Sequence, residues 1–240
     1  KGWQVVLTGP VDDDEVLLAV PSAACLRSVL LPLRSRRLAD SVLGDASNGF
    51  ARLTLHLVLR WCQESETTVA ADWEEYWSLV PECAFDDLVC SWPVGDLAAL
   101  RGSAVALRAE AHAAEIASEF EQVCSSLSEA GVNVSVLSQR QFAWSKLCVQ
   151  TRGVDLGSSK GYALLPFIDL VNHAYGSSAN AHVRWEGGDD GEGQAVLRTI
   201  RPVQSGDEVL FCYDGNADYL DLFNRYGFFD STCSAHAVEI

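Results

Sequence analysis

Methionine is absent from this chain, and so is any apolar run near the ~18 residues that a membrane-crossing helix needs. The longest apolar stretch, residues 53–61, is broken by His56 and Arg60. A membrane-spanning helix is therefore excluded. Basic residues are few: 17 Lys and Arg stand against 33 Asp and Glu, a net charge of −16. Binding to a phosphate backbone needs a basic footprint, so the balance excludes a nucleic-acid partner. The acids are unevenly placed. Residues 61–120 carry 12 against 2 bases, and residues 181–240 carry 11 against 4. Such a surface favours solubility first, and a basic protein partner second.

Paired cysteines are also missing. The eight thiols include no C-x-x-C spacing, and several lie inside apolar stretches. Neither a zinc cluster nor a disulfide framework is expected. Dispersed, buried thiols fit a reducing, intracellular compartment; they do not distinguish cytoplasm, nucleus and plastid. No secretory signal opens the chain, which begins Lys-Gly-Trp-Gln-Val without an initiator Met. That reads as a piece of a longer chain. H-E-x-x-H, G-x-S-x-G and Walker spacings are absent as well. His112 with Glu115 is a His-acid pair at helical spacing, best read as solvated helix surface.

What is present is a globular chain of 240 residues, 48% hydrophobic, enough for one large domain or two small ones. Residues 1–46 read as a β part, with strands at 4–7 and 16–20 around an acidic turn at 12–15. Residues 47–149 read as a helical insert. Ser47 or Asn48 caps a helix carrying Phe50, Leu53, Leu57, Val58 and Trp61 on one face. Asp72 caps the next, which holds Trp73, Tyr76 and Trp77. A long helix over 97–128 shows a stripe of Ile116, Phe120, Val123, Cys124 and Leu127 closed by Gly131, and 139–149 is another. Residues 150–240 return to strands: a hairpin of 182–185 with 195–200, then a strand over 208–213. The sequence shows no repeat and no flexible linker.

The chemistry concentrates in Leu164-Leu-Pro-Phe-Ile-Asp-Leu-Val-Asn172-His173. Read alone, Asp169 is a helix cap and His173 a satisfied core histidine. The segment does not stand alone. Gly206-Asp-Glu-Val-Leu-Phe-Cys-Tyr213 follows, then Tyr226-Gly-Phe228. Together these resemble the SET-domain methyltransferases, and most of all the branch of the Rubisco lysine methyltransferases and the actin-histidine methyltransferase. Asp169, Asn172 and His173 match that branch's D-x-x-N-H. Tyr213 matches its catalytic tyrosine at a strand's end, and Tyr226 to Phe228 its Y-G-F. Trp73 to Pro81, Phe142 to Arg152 and Val16 to Pro21 extend the likeness over nearly the whole chain.

The resemblance implies an α+β SET-domain fold: small β-sheets, a helical insert and a threaded C-terminal segment. All of 1–240 is then one SET domain, with the active site in 150–240. It implies S-adenosylmethionine as methyl donor and a protein substrate, with no metal. Asn172 and His173 would hold the cofactor, together with Gly2 and Trp3, whose backbone closes on it. Arg152 would contact cofactor and substrate. Asp169 and Tyr226 would lie along the substrate channel, and Tyr213 would be catalytic and touch substrate. Methyl transfer is an in-line displacement, so these types suit it: an aromatic channel strips water from a neutral amine and aligns it.

Two departures stand out. The family's G-x-G near the start is Gly2-Trp3-Gln4 here, so a side chain takes space a glycine leaves to the donor. The helical substrate-binding domain that follows the SET domain in this branch has no counterpart before Ile240. Two function classes follow: an active methyltransferase acting on lysine, with histidine as the alternative acceptor, or a degenerate SET domain that binds without turnover. Gln4 argues for the second; Tyr213, Asn172 and His173 argue for the first. An unrelated β-rich binding protein would require the motifs to coincide by chance.

Overall fold

The computed structural model of the chain describes residues 4–44, 48–63, 73, 75–157, 160–188 and 193–230. The chain forms two compact units. One gathers residues up to Leu30, Arg152–Tyr219 and Asp230; the other gathers Leu31–Thr151 and Leu220–Phe229.

The first unit is built of small sheets. β1 (Val16–Pro21) and β6 (Ala181–Glu186) flank β7 (Gln194–Thr199), both antiparallel to it. β7 runs Ala195-Val196-Leu197 with all three buried, as a central strand covered on both faces must be. A second sheet orders β2 (Leu26–Arg27), β4 (Tyr162–Leu164) and β3 (Gly153–Asp155), again antiparallel. The third is a two-stranded parallel pair, β5 (Asn172–His173) with β8 (Leu210–Phe211). One core joins them, with Val20, Ala163, Leu165, Ile168, Val171, Leu197, Val209 and Phe211 at its centre. The expected α+β class with small sheets is what the chain adopts. The threaded C-terminal segment falls beyond Asp230, outside the described residues.

Three expectations are corrected here. Residues 4–7 are not a strand. They hydrogen-bond along 206–209, but only Val6 and Glu208 form a bridge. The strand over 208–213 shrinks to Leu210–Phe211, because Asn180 takes the flanking backbone groups: its Nδ2 donates to the Glu208 carbonyl and its Oδ1 accepts from the Leu210 N–H. Residues 33–43, expected within the β part, are helix α1 (Leu33–Leu43). Its fully buried positions are only Ser35 and Ala39, so it shows no broad apolar stripe to read.

The second unit is helical. α2 (Gly49–Trp61) is capped by Asn48, whose Oδ1 accepts the Ala51 N–H at 2.9 Å, and it buries every residue from Leu53 to Leu59. The Asp72 cap lies outside the described residues, but Trp73 and residues 75–78 are helical. The long helix starts later than expected: Ser103 caps α3 (Ala104–Glu129). Gly131, at φ +81°, closes it with bonds from its own N–H to Ser128 and from Val132 to Leu127, a Schellman stop. α4 (Gln139–Arg152) runs into β3. Trp73, Tyr76 and Trp77 share one face, as their spacing predicts, and pack edge-on or tilted with Phe85 and Trp144 into one aromatic core. The His112–Glu115 face is not simply solvated. Lys146 of α4, its side chain 5% exposed, reaches Glu115 at 2.9 Å and Glu119 at 2.6 Å. α5 (Tyr219–Tyr226) ends the described helices.

Candidate active site

Asn172, His173 and Tyr213 reach one place in the first unit by a chain of local causes. Leu165 and Ile168 are fully buried, which pins the turn between them. A single 3-10 turn, Ile168–Leu170, follows, and β5 begins two residues on. The parallel pairing sets Asn172 opposite Leu210 and His173 opposite Phe211. Tyr213 lies just past the end of β8. Val209, Phe211 and Tyr213 share the core-facing side, as alternation requires.

His173 and Tyr213 then fix each other. The Tyr213 backbone N–H donates to His173 Nδ1 at 3.0 Å, and the two rings lie 5.1 Å apart. Tyr175 stands edge-on to the imidazole at 4.4 Å. An Nδ1 that accepts places the ring's proton on Nε2, 3.7 Å from Asp230. Burial pushes the His173 pKa below its usual value, against the upward pull of Asp230 and Asp214, so the ring is uncharged at neutral pH. The Tyr213 hydroxyl donates to the Val171 carbonyl at 2.7 Å. With its proton committed there, the phenolic oxygen offers lone pairs elsewhere.

Asn172 is held by an acid that the sequence reading did not single out. Its Nδ2 donates to Glu208 Oε1 at 2.7 Å, and Gln4 Nε2 donates to Glu208 Oε2 at 3.1 Å. One carboxylate thus ties the first described residue to the Asn-His segment. The signal was on the page: an acid directly ahead of a core strand leading to Tyr213. The Gln4 side chain is drawn toward Glu208. Gly2 and Trp3 lie outside the described residues.

Arg152 and Asp169 meet each other, with Nη1 to Oδ2 at 2.9 Å; the carboxylate side chain is 0% exposed. Within this structure Arg152 neutralises a buried charge that would otherwise be costly. Tyr226 lies at the end of α5 and is counted with the helical unit. There Arg225 sits 5.4 Å from its ring centre, and Phe228 lies 6.1 Å away. No group of three or more His, Cys, Asp or Glu that could hold a metal occurs among the described residues.

The family profile described as SET domain matches residues 2–214. An uncharacterized protein of Schizosaccharomyces pombe is 22% identical over 257 residues, covering 100% of this chain and 51% of its own length. Among solved structures, the SET domain of LSMT bound to lysine and AdoHcy superposes with a TM-score of 0.73 at 19% identity, over 95% of this chain and 50% of that one. Rubisco LSMT bound to AdoMet gives 0.70 at 16%, with the same coverage. The chain spans about half the length of the relatives it matches.

Proposed function

The chain belongs to the SET-domain family, and on that footing we propose that it is an S-adenosylmethionine-dependent protein N-methyltransferase acting on a lysine side chain. It would stand with the Rubisco lysine methyltransferase branch, whose members in complex with donor or lysine share its fold. One observation carries the reading: Asn172, His173 and Tyr213 converge in one unit, each oriented by a hydrogen bond from or to a second group.

The donor supplies a sulfonium carrying an electrophilic methyl group. The residues present fit such a cation. Glu208 takes the Asn172 N–H and so fixes the amide in one orientation. His173 is neutral and adds no charge that would repel a sulfonium. The Tyr213 oxygen, its own proton spent on Val171, is an acceptor that can orient an amine without adding charge. Asn172 and His173 hold the donor, a role the family resemblance also assigns to Gly2 and Trp3, which lie outside the described residues. Tyr213 aligns the acceptor, while Arg152, Asp169 and Tyr226 serve substrate. The substrate is a protein, its basic surface suited to this acidic chain, within a reducing intracellular compartment.

Gln4 favours a second reading, a SET domain that binds but turns over poorly; a histidine acceptor is a variant of the first. Turnover with labelled S-adenosylmethionine separates the first two, and calorimetry with the donor and its demethylated product tests the donor site that the methyltransferase reading requires. We expect micromolar binding, about −8 kcal/mol, weakened in Asn172→Ala. Absence of heat and of thermal shift with either compound would end the methyltransferase reading. Tyr213→Phe should lower turnover by a factor on the order of 10² while donor affinity holds, since the hydroxyl acts mainly in the transition state. A fully active phenylalanine variant would leave Tyr213 a core residue.

A further inference from the structure

The turn that leads into the Asp169–His173 segment carries a residue that the chemistry above does not use. Phe167 has φ +69° and ψ −35°. For a bulky side chain this is an outlier: directly after Pro166, it occupies a positive-φ turn position that favours glycine. Such backbone persists only where the surroundings over-determine it. Here they do. Leu165 and Ile168, on either side, are each 0% exposed. The Asp169 N–H reaches back to the Leu165 carbonyl at 3.2 Å, and the Leu170 N–H to the Phe167 carbonyl at 3.3 Å. The outcome is a phenyl ring 61% exposed, two residues from the buried Asp169 carboxylate.

A single exposed apolar side chain is ordinary. One held outward by a strained backbone, between half-buried Pro166 and fully buried Ile168, at the head of the site segment, is not. A glycine would adopt this turn without strain, so the ring itself is what the position contributes. We propose that Phe167 is a specificity-determining residue: its ring is the anchor for an apolar side chain flanking the acceptor residue of the protein substrate. This rests on the methyltransferase reading. The nearest charge on its own segment, Asp169, is neutralised by Arg152, so nothing there favours a charged flanking residue over an apolar one.

The test compares the parent chain with Phe167→Gly and Phe167→Tyr. Each is assayed with labelled S-adenosylmethionine on peptides with a central lysine or histidine and varied flanks, and on fractionated protein pools. Donor affinity is measured by calorimetry and folding by thermal midpoint. The parent should prefer apolar flanks. Phe167→Gly should bind donor as the parent does and melt no lower, because the turn is relieved. Its KM for preferred substrates should rise about tenfold, the worth of one lost apolar contact, with kcat little changed and the flank preference gone. Phe167→Tyr should keep both. Should the glycine variant fold poorly, Phe167→Asn, which tolerates positive φ, takes its place. Retention of the parental KM and preference overturns the proposal. So does joint loss of donor affinity and kcat, which marks a turn that merely shapes the site. A parent that methylates without flank preference overturns this inference alone. A parent that methylates nothing removes the enzyme reading, and this role with it.

Discussion

At the scale of single residues, a carboxylate positions the Asn172 amide. Glu208 accepts one hydrogen bond on each oxygen, from Asn172 and from Gln4. Two donors need two acceptors, and only a carboxylate of this shape provides both. Glu208→Gln keeps the size but offers one acceptor and one N–H2, so one partner faces another donor. We expect that variant to fold and to lose donor affinity by about tenfold, the cost of one charge-assisted bond that is partly exposed. Unchanged calorimetric affinity would show that Asn172 needs no such support. Gln4 is the more peripheral partner. The sequence alone implies that its side chain crowds the donor, so that Gln4→Gly would tighten binding. The bond to Glu208 argues the opposite sign. The glycine variant should bind donor less tightly, by less than about fivefold, because an exposed hydrogen bond is worth under ~1 kcal/mol. Tighter binding would show that crowding dominates.

At the scale of elements, what was legible depended on length and on local cause. The helices α2 and α3 announce themselves through caps and stripes, because their stabilising contacts repeat every three or four residues along one segment. The hairpin β6–β7 is equally visible. The pairs β5–β8 and β2–β4 are not, since strands of two or three residues owe their existence to distant partners. α1 escaped because its buried positions are Ser35 and Ala39; Ser35 bonds His56 Nδ1 at 2.9 Å rather than filling an apolar face. In the candidate site, Asn172, His173 and Tyr213 are readable as side chains. Val171 acts through its carbonyl, to which side-chain identity is blind. The turn joining β3 to β4 offers a test at this scale. Gly161 has φ +74°, and a Cβ there would lie 2.5 Å from Ser28 Oγ and 2.8 Å from Val29 Cγ1. Ser28 is itself bonded to Tyr162 through both its backbone and its hydroxyl, so it cannot move without loosening β4. Gly161→Ala therefore combines positive-φ strain of ~1 kcal/mol with overpacking of ~1–3 kcal/mol. Gly131→Ala, at φ +81° with nothing within 4 Å, meets the strain alone. In thermal melts, Gly161→Ala should fall by about twice the shift of Gly131→Ala or more. Equal shifts would mean that the β2 end yields freely.

At the scale of the whole molecule, the histidines among the described residues act in one direction. His56, His112, His173 and His182 all have their pKa pushed down, in each case first by burial. His56 is the extreme: it is 6% exposed, bonded to Ser35, and lowered to about 4 from 6.5. For a base whose folded pKa lies below its unfolded one, the unfolded chain binds the proton first. Between the two values the unfolded state holds more protons, so stability rises with pH and is lost as pH falls. The loss begins near pH 6.5 and is complete for His56 near pH 4. At 1.36 kcal/mol for each pH step, going from 6.5 to 5 should cost about 2 kcal/mol through His56 alone. That corresponds to roughly 4–8 °C in thermal midpoint for a chain of this size. The window matters, because carboxylates such as Glu115, held down by the Lys146 hydrogen bond, lose their stabilisation only at lower pH. His56→Gln retains a polar partner for Ser35 but does not titrate. Its midpoint should start lower at pH 7.5 and decline much less between pH 6.5 and 5 than that of the parent. If parent and variant lose the same number of degrees over that interval, His56 stays uncharged for a reason other than its burial, and the acid sensitivity belongs to another group.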